Sequence, residues 1–354
     1  MNKVETAPKV TKETKNKIRV EFERTPLSER LKAKFVNVYF FQKVLVYVFK
    51  FLFLLGISYV ILFPFYSKIA SSFMSPEDFV DVTVNLIPKH PTLSTYKAII
   101  IDNDYFTAFF NTLWLSGLCA ILQTFVCCLI GYGFAKFKFR GNKLLFLLVV
   151  FTMVVPHSTL QLSMFMKFRY FDIGFGKFGI FNLLGGGLID SIAILNDTSL
   201  NLINTRWPLI ILSATGLAFK NGLYVFMLRQ FFKGVPDELE ESAYLDGSGV
   251  LRTFIQIILP LSIPVLITVF MFSFSWQWTD NFYTSVFYTT TGPLLMPKIV
   301  KVPKSLDTAY AGENMYVAAI RNTCGILILL PLLILYSFMQ RYIIQGIERS
   351  GITG

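Results

Sequence analysis

Six blocks of apolar residues dominate this chain, roughly at 44–66, 107–134, 144–165, 207–230, 262–284 and 317–339. A run of about 20 apolar residues is long enough to cross the hydrocarbon layer as a helix. Of the 354 residues, 54% are hydrophobic and only 16% charged, and mean hydropathy is +0.55. An average soluble domain is less apolar and more charged. The expected fold is therefore an all-α integral membrane bundle of six transmembrane helices. The first block does not read as a cleaved signal peptide, because its charged leader is 43 residues long and no A-x-A site follows.

Lysine and arginine placement sets the orientation. Residues 1–43 hold 11 of them, and the short link 135–143 holds four (Lys136, Lys138, Arg140, Lys143) with no acid. Residues 67–106 hold three (Lys68, Lys89, Lys97) against five acids. The N-terminus, the 135–143 link, the 231–261 loop and the tail 340–354 are expected inside, and 67–106 outside. The domain plan is a basic cytoplasmic extension over 1–43, a membrane domain over 44–339 containing the 233–261 loop, and a cytoplasmic tail over 340–354. Residues 1–20 read as disordered, and 21–43 as an interfacial helix. The net charge of +11 follows membrane topology and lipid headgroups, so no nucleic-acid partner is expected.

Cys119, Cys127, Cys128 and Cys324 all lie inside expected spans, without metal-ligand companions. With two histidines in the chain, no metal site is expected, and no cofactor. No G-x4-G-K-[ST] phosphate loop occurs, so no ATP chemistry is expected in this chain, and it is not read as an enzyme. The external stretch 166–206 is rich in turn formers (Gly174, Gly176, Gly179, Gly185, Gly186, Gly187).

The sharpest local signal lies between the fourth and fifth blocks. Gly234-Val235-Pro236 opens a short helix whose acids Asp237, Glu238, Glu240 and Glu241 fall near its positive end. Asp246-Gly247-Ser248-Gly249 breaks it. A second piece, 250–259, carries Leu251, Phe254, Ile255, Ile258 and Leu259 at helical spacing, and Pro260 and Pro264 bracket the start of the fifth span. A stiff helix, a hinge and an amphipathic helix in series can carry a push from a soluble partner into the membrane. An ordinary cytoplasmic helical hairpin is the plainer reading.

Glu241-Ser242-Ala243, Gly247, Ile257, Leu259 and Pro260 fit E-x-A-x3-G-x9-I-x-L-P. This resembles the EAA motif of ABC importer permeases. Leu228-Arg229-Gln230-Phe231-Phe232, Gly131 to Phe137, Asn111-Thr112-Leu113, Pro91-Thr92-Leu93 with Tyr96, and Gln340-Arg341-Tyr342 with Gly346 resemble the sugar-importer branch. Together they resemble the MalG-like permeases of maltose and multiple-sugar transporters, over roughly 44–354. The N-terminal extension and the glycine-rich 170–205 stretch depart from the pattern.

The resemblance implies a second, MalF-like permease, two ATP-binding subunits and an extracellular sugar-binding protein as partners. It also implies that Glu241, Ala243, Asp246 and Gly247 make or shape a contact with the ATPase, whose closure would switch the bundle from inward-open to outward-open. The tail Gly351 to Gly354 would reach the same interface.

Polar residues deep in a bilayer are costly and often line a pathway. Lys220 with Asn221 is the clearest case; an ion pair or a helix break at Gly222 reads as well. Trp276, Gln277, Trp278, Asp280 and Asn281 suit sugar faces and hydroxyls, yet interfacial anchoring or helix packing yields the same residues and is favoured. His157 is expected to be a hydrogen-bonded interior histidine, and Pro156 and Pro331 to kink their helices. The alternatives to a sugar permease are the same architecture carrying a non-sugar solute, a stand-alone secondary transporter and, last, a membrane enzyme.

Overall fold

The computed structural model describes residues 10–13, 19–22, 38–171, 200–289, 292–309 and 312–351. The chain divides into two units, Met1–Lys68 and Ile69–Gly354.

In the first unit, β1 (Val10–Glu13) pairs antiparallel with β2 (Arg19–Phe22), with Val10 opposite Phe22. This departs from the disorder expected over 1–20. Val10, Thr11 and Val20 are β-branched residues that favour extended backbone, so the charged leader still contains segments able to pair. The rest of 1–20, and 23–37 of the expected interfacial helix, lie outside the described residues. α1 (Val38–Ser72) follows and runs past the Lys68 boundary of this unit. It is apolar on every face, and Leu45, Phe49, Leu52, Val60 and Leu62 are all exposed. Such a helix belongs in lipid.

The second unit is helical. Its elements are α2 (Ser94–Asp102), α3 (Tyr105–Lys136), α4 (Asn142–Val154), α5 (Gln161–Arg169), α6 (Trp207–Ala214), α7 (Asn221–Lys233), α8 (Glu238–Leu245), α9 (Val250–Thr253), α10 (Leu259–Leu261), α11 (Ile263–Trp278), α12 (Phe282–Phe287) and α13 (Glu313–Gly351). The long helix α3 is the hub: it packs against α6, α7 and α11, and α11 packs against α13. One core cluster joins Phe274, Trp278, Ile320 and Cys324, and a second joins Cys128, Tyr132, Leu228, Phe232 and Phe254.

Among the described residues three helices are long and apolar enough to cross a bilayer unbroken, Phe41–Ser72, Tyr105–Lys136 and Glu313–Gln345. Two further helix pairs are bent at a break, and each makes a span only if its two halves are taken together. Asn142–Val154 and His157–Arg169 meet at 96°, and Val250–Leu261 and Ile263–Trp278 at 75°. The 96° break falls at Pro156, where the ring denies the helix a donor and clashes with the preceding turn. The fourth expected span is not one helix. It stops at Ala214 and resumes at Asn221, with Gly216 at φ +74° and Lys220 at φ +68° between.

Pro331 lies inside α13, which continues as one helix through Gly351, past the boundary expected at 339/340. A proline leaves the carbonyl four residues earlier without its helical donor. That carbonyl, of Leu327, accepts a bond from the Tyr105 hydroxyl of α3 at 3.2 Å, and the next, of Ile328, accepts from Trp278 Nε1 of α11 at 3.0 Å.

Candidate functional site

Two places in the second unit hold the residues singled out by sequence. The first is the loop from α7 to α11. The first turn of α8 carries Glu238, Glu240 and Glu241, where negative charge meets the positive end of the helix dipole. Its last turn closes on Gly247, at φ +81°. The Ser248 amide donates to the Ala243 carbonyl at 2.9 Å and the Gly247 amide to that of Tyr244 at 3.0 Å. This pair of bonds is a Schellman cap, which needs a left-handed residue at its centre. The spacing of Ala243 and Gly247 in the motif is therefore the spacing of a helix end. The chain then continues through α9, a π turn (Phe254–Ile258) and α10 into α11.

The end of α3 anchors this loop. Lys136 Nζ donates to the Val235 carbonyl at 2.8 Å and to Asp237 Oδ1 at 2.5 Å, and lies 3.6 Å from Glu240 Oε2. The bond from Lys136 holds the Asp237 carboxyl below the usual carboxylate range. The Tyr132 hydroxyl donates to Glu240 Oε1 at 2.8 Å, and its ring lies 4.7 Å from that of Phe254. Gly131 makes the approach possible: a Cβ there would sit 2.8 Å from Leu228 Cβ and 3.2 Å from the Arg229 amide nitrogen of α7. Sequence reasoning quoted the Gly131–Phe137 stretch only as a resemblance; its partners, more than ninety residues away, gave no local signal.

Glu241, Ser242, Asp246 and Gly247 are exposed, Ile257 and Leu259 are half-buried, and Pro260 is exposed in α10. Ala243 is buried, so it packs the helix onto its own chain. The exposed face also carries Leu239, Tyr244, Leu245 and Leu251, of which Leu245 is 89% and Leu251 70% exposed.

The second place is a cavity of about 690 Å³ between the bent α4–α5 pair and the α6–α7 break, and Lys220 and Asn221 line it. Lys220 Nζ lies 4.5 Å from the Phe219 ring centre and 4.8 Å from that of Trp276. Asn221 is only 2% exposed, and neither polar atom of its side-chain amide has a hydrogen-bond partner. His157 also lines the cavity. It meets Phe219 edge-on at 4.0 Å, in place of the hydrogen-bonded interior setting expected for it.

The remaining expected residues are elsewhere. Trp278 is wholly buried between Phe109 and Phe274 and is tied to α13. Asp280 accepts from the Tyr283 and Thr284 amides at 3.2 and 2.9 Å, capping the start of α12, and Asn281 is exposed beside it.

This arrangement of an apolar bundle, a bent helix pair beside a largely apolar cavity that Lys220 and Asn221 line, and an anchored, capped loop helix defines a membrane permease. The chain belongs to the family described as binding-protein-dependent transport system inner membrane component, which matches residues 128–349. It is similar to the polygalacturonan/rhamnogalacturonan transport system permease protein YtcP of Bacillus subtilis (strain 168), 25% identical over 311 residues covering 85% of this chain and 96% of the other. It is also similar to the arabinooligosaccharides transport system permease protein AraQ of the same organism, 27% identical over 312 residues, 86% of this chain and 94% of the other. In fold it resembles a chain of a bacterial ABC transporter involved in the import of the acidic polysaccharide alginate, with TM-score 0.60 at 18% identity, covering 90% of this chain and 99% of that one. The chain is thus a multi-pass membrane component of an ABC-type system that works with a binding protein and an ATPase.

Proposed function

We propose that this chain forms half of the translocation path of an ATP-driven saccharide importer, in the plasma membrane with both termini cytoplasmic. A MalF-like permease forms the other half, two ATP-binding subunits drive it, and an extracellular sugar-binding protein loads it. Residues 1–43 act as the cytoplasmic extension, 44–339 as the membrane domain and 340–354 as the tail. Support for saccharide cargo comes from the relatives, whose names cover both acidic and neutral glycans.

The observation that carries the coupling role is the α8 helix end. Its cap fixes Gly247, its buried side is tied to Tyr132 and Lys136, and its outer side leaves Glu241, Ser242, Asp246 and the apolar Leu245 and Leu251 uncovered. In this reading those outward groups meet the ATPase. Ala243 shapes the contact from within, and Ile257, Leu259 and Pro260 pass the displacement into α11. A helix held at both ends transmits a push that a slack loop would absorb. Lys220 and Asn221 line the solute path at the α6–α7 break, while Trp278, Asp280 and Asn281 steady the outer end of α11.

The test is ATP-dependent uptake in proteoliposomes holding the assembled transporter. Glu241→Lys combined with Leu245→Asp should abolish uptake and release the ATPase during purification, with the folded permease yield unchanged. Full uptake by that variant would remove the coupling role, and uptake by the chain without any ATPase would favour a secondary transporter.

A further inference from the structure

The cavity at the α6–α7 break has a chemistry that a neutral sugar does not require. Lys167, Lys220 and His157 line it, and no carboxylate is among the described residues that do. Lys220 is held in place by two aromatic rings, a contact that fixes an ammonium without neutralising it. Behind it α7 begins, and the amides of Gly222 and Leu223 stand in a first turn, where no intrahelical acceptor exists. A helix start of this kind attracts anions. Gly222 also lets the start of α7 press against α4, since a Cβ there would come within 2.6 Å of Thr152 Oγ1 and 3.0 Å of the Val149 carbonyl.

Independently of the helix end, the Asn221 amide lines the same cavity, 98% buried by its 2% exposure, with donor and acceptor both unpartnered. A buried amide left without partners is destabilising, and a passing ligand would relieve that. A neutral saccharide could satisfy the amide, but it would offer the Lys220 ammonium no counter-charge. A carboxylate satisfies both, and a charge-assisted bond is about twice as strong as a neutral one.

Resting on the reading of this cavity as part of a saccharide path, we propose that it binds the carboxylate of an acidic, uronate-type saccharide in transit. Lys220 supplies the charge, Asn221 the directional hydrogen bond, and the walls formed by Phe151 and Phe168 the apolar contact for the ring.

The assay is uptake by the assembled transporter in proteoliposomes of a galacturonic acid trisaccharide and of its carboxyl-reduced, neutral counterpart. Each variant is compared with wild type on both sugars. Lys220→Met should lower uptake of the acidic sugar by about tenfold or more, a loss well beyond its effect on the neutral one, and be rescued by Lys220→Arg. Asn221→Leu should lower acidic uptake too while keeping or raising thermal stability, so a failure of Lys220→Met to fold would leave this second variant to decide. Acidic uptake unchanged in both variants, or a wild type that carries only the neutral sugar, overturns the proposal and leaves the saccharide reading standing. If neither sugar is carried while ATP is hydrolysed, the saccharide reading itself fails. Equal loss on both sugars, with anionic phospholipid lost from the purified Lys220→Met protein, would make the cavity a lipid site and overturn the proposal as well.

Discussion

Tyr132 at the end of α3 donates its hydroxyl to Glu240 in the first turn of α8, 108 residues later, at 2.8 Å, and both side chains are buried. Tyr132→Phe would leave the Glu240 carboxylate with only Lys136 at 3.6 Å. The expected loss is about 1–3 kcal/mol, read as a fall in melting temperature in detergent. Transport per ATP hydrolysed should fall as well, because α8 would be less firmly tied. Unchanged melting and unchanged coupling would show that this bond holds nothing.

Gly131 should not accept a side chain. Alanine there places its Cβ 2.8 Å from Leu228 Cβ, and overpacking of this kind costs about 1–3 kcal/mol. Nothing lies within 4 Å of a Cβ built at Gly133, so Gly133→Ala should be nearly silent. Folded yields of the two variants, measured side by side, decide it.

The Asp237–Lys136 bond should show in acid. Because the folded carboxyl sits below its ordinary value, its stabilising effect is complete above the unfolded range, near pH 4, and fades as pH falls through the folded value. The melting difference between wild type and Asp237→Asn should therefore be present at pH 6 and close in stronger acid. It should be small, since the Asp237 side chain is 77% exposed while that of Lys136 is only 7% exposed. Lys136→Met should be worse than Asp237→Asn, because it also strands the Val235 carbonyl. A gap that widens toward low pH would contradict this account.

Gly247 is constrained by its dihedral alone: a Cβ there would meet nothing within 4 Å, yet φ is +81°. Gly247→Val should cost about 1–2 kcal/mol and fray the end of α8, seen as faster amide exchange at Gly247 and Ser248. Gly247→Asn should be milder, since asparagine tolerates this conformation. Equal exchange in all three proteins would mean that the cap does not hold the helix end.

What the sequence disclosed and what it hid divide along contact range. The unbroken helices α3 and α13 were legible as long apolar runs, and the end of α8 was legible in Asp246-Gly247. Pro156 announced a bend. The interruption of 207–230 was legible only as a helix break at Gly222 weighed against other readings; its place, between Ala214 and Asn221, was not, because apolar content stayed high across the break. Lys220 was marked by its cost in lipid; that it is held by Trp276 and that its neighbour Asn221 is unpartnered required α7 and α11 to be placed. The anchoring by Tyr132 and Lys136 was out of reach for the same reason, since nothing near them in sequence names their partners.

The bonds around Pro331 carry a genetic consequence. Tyr105 takes up the Leu327 carbonyl that the proline leaves without a helical donor, so the two residues are conditional on each other. Tyr105→Phe strands that oxygen, whereas Pro331→Ala supplies it with an amide and makes the hydroxyl redundant. Epistasis of positive sign is the expected result: the proline replacement should soften the damage done by the phenylalanine, and a lineage that drops one of the pair should find the other free to drift.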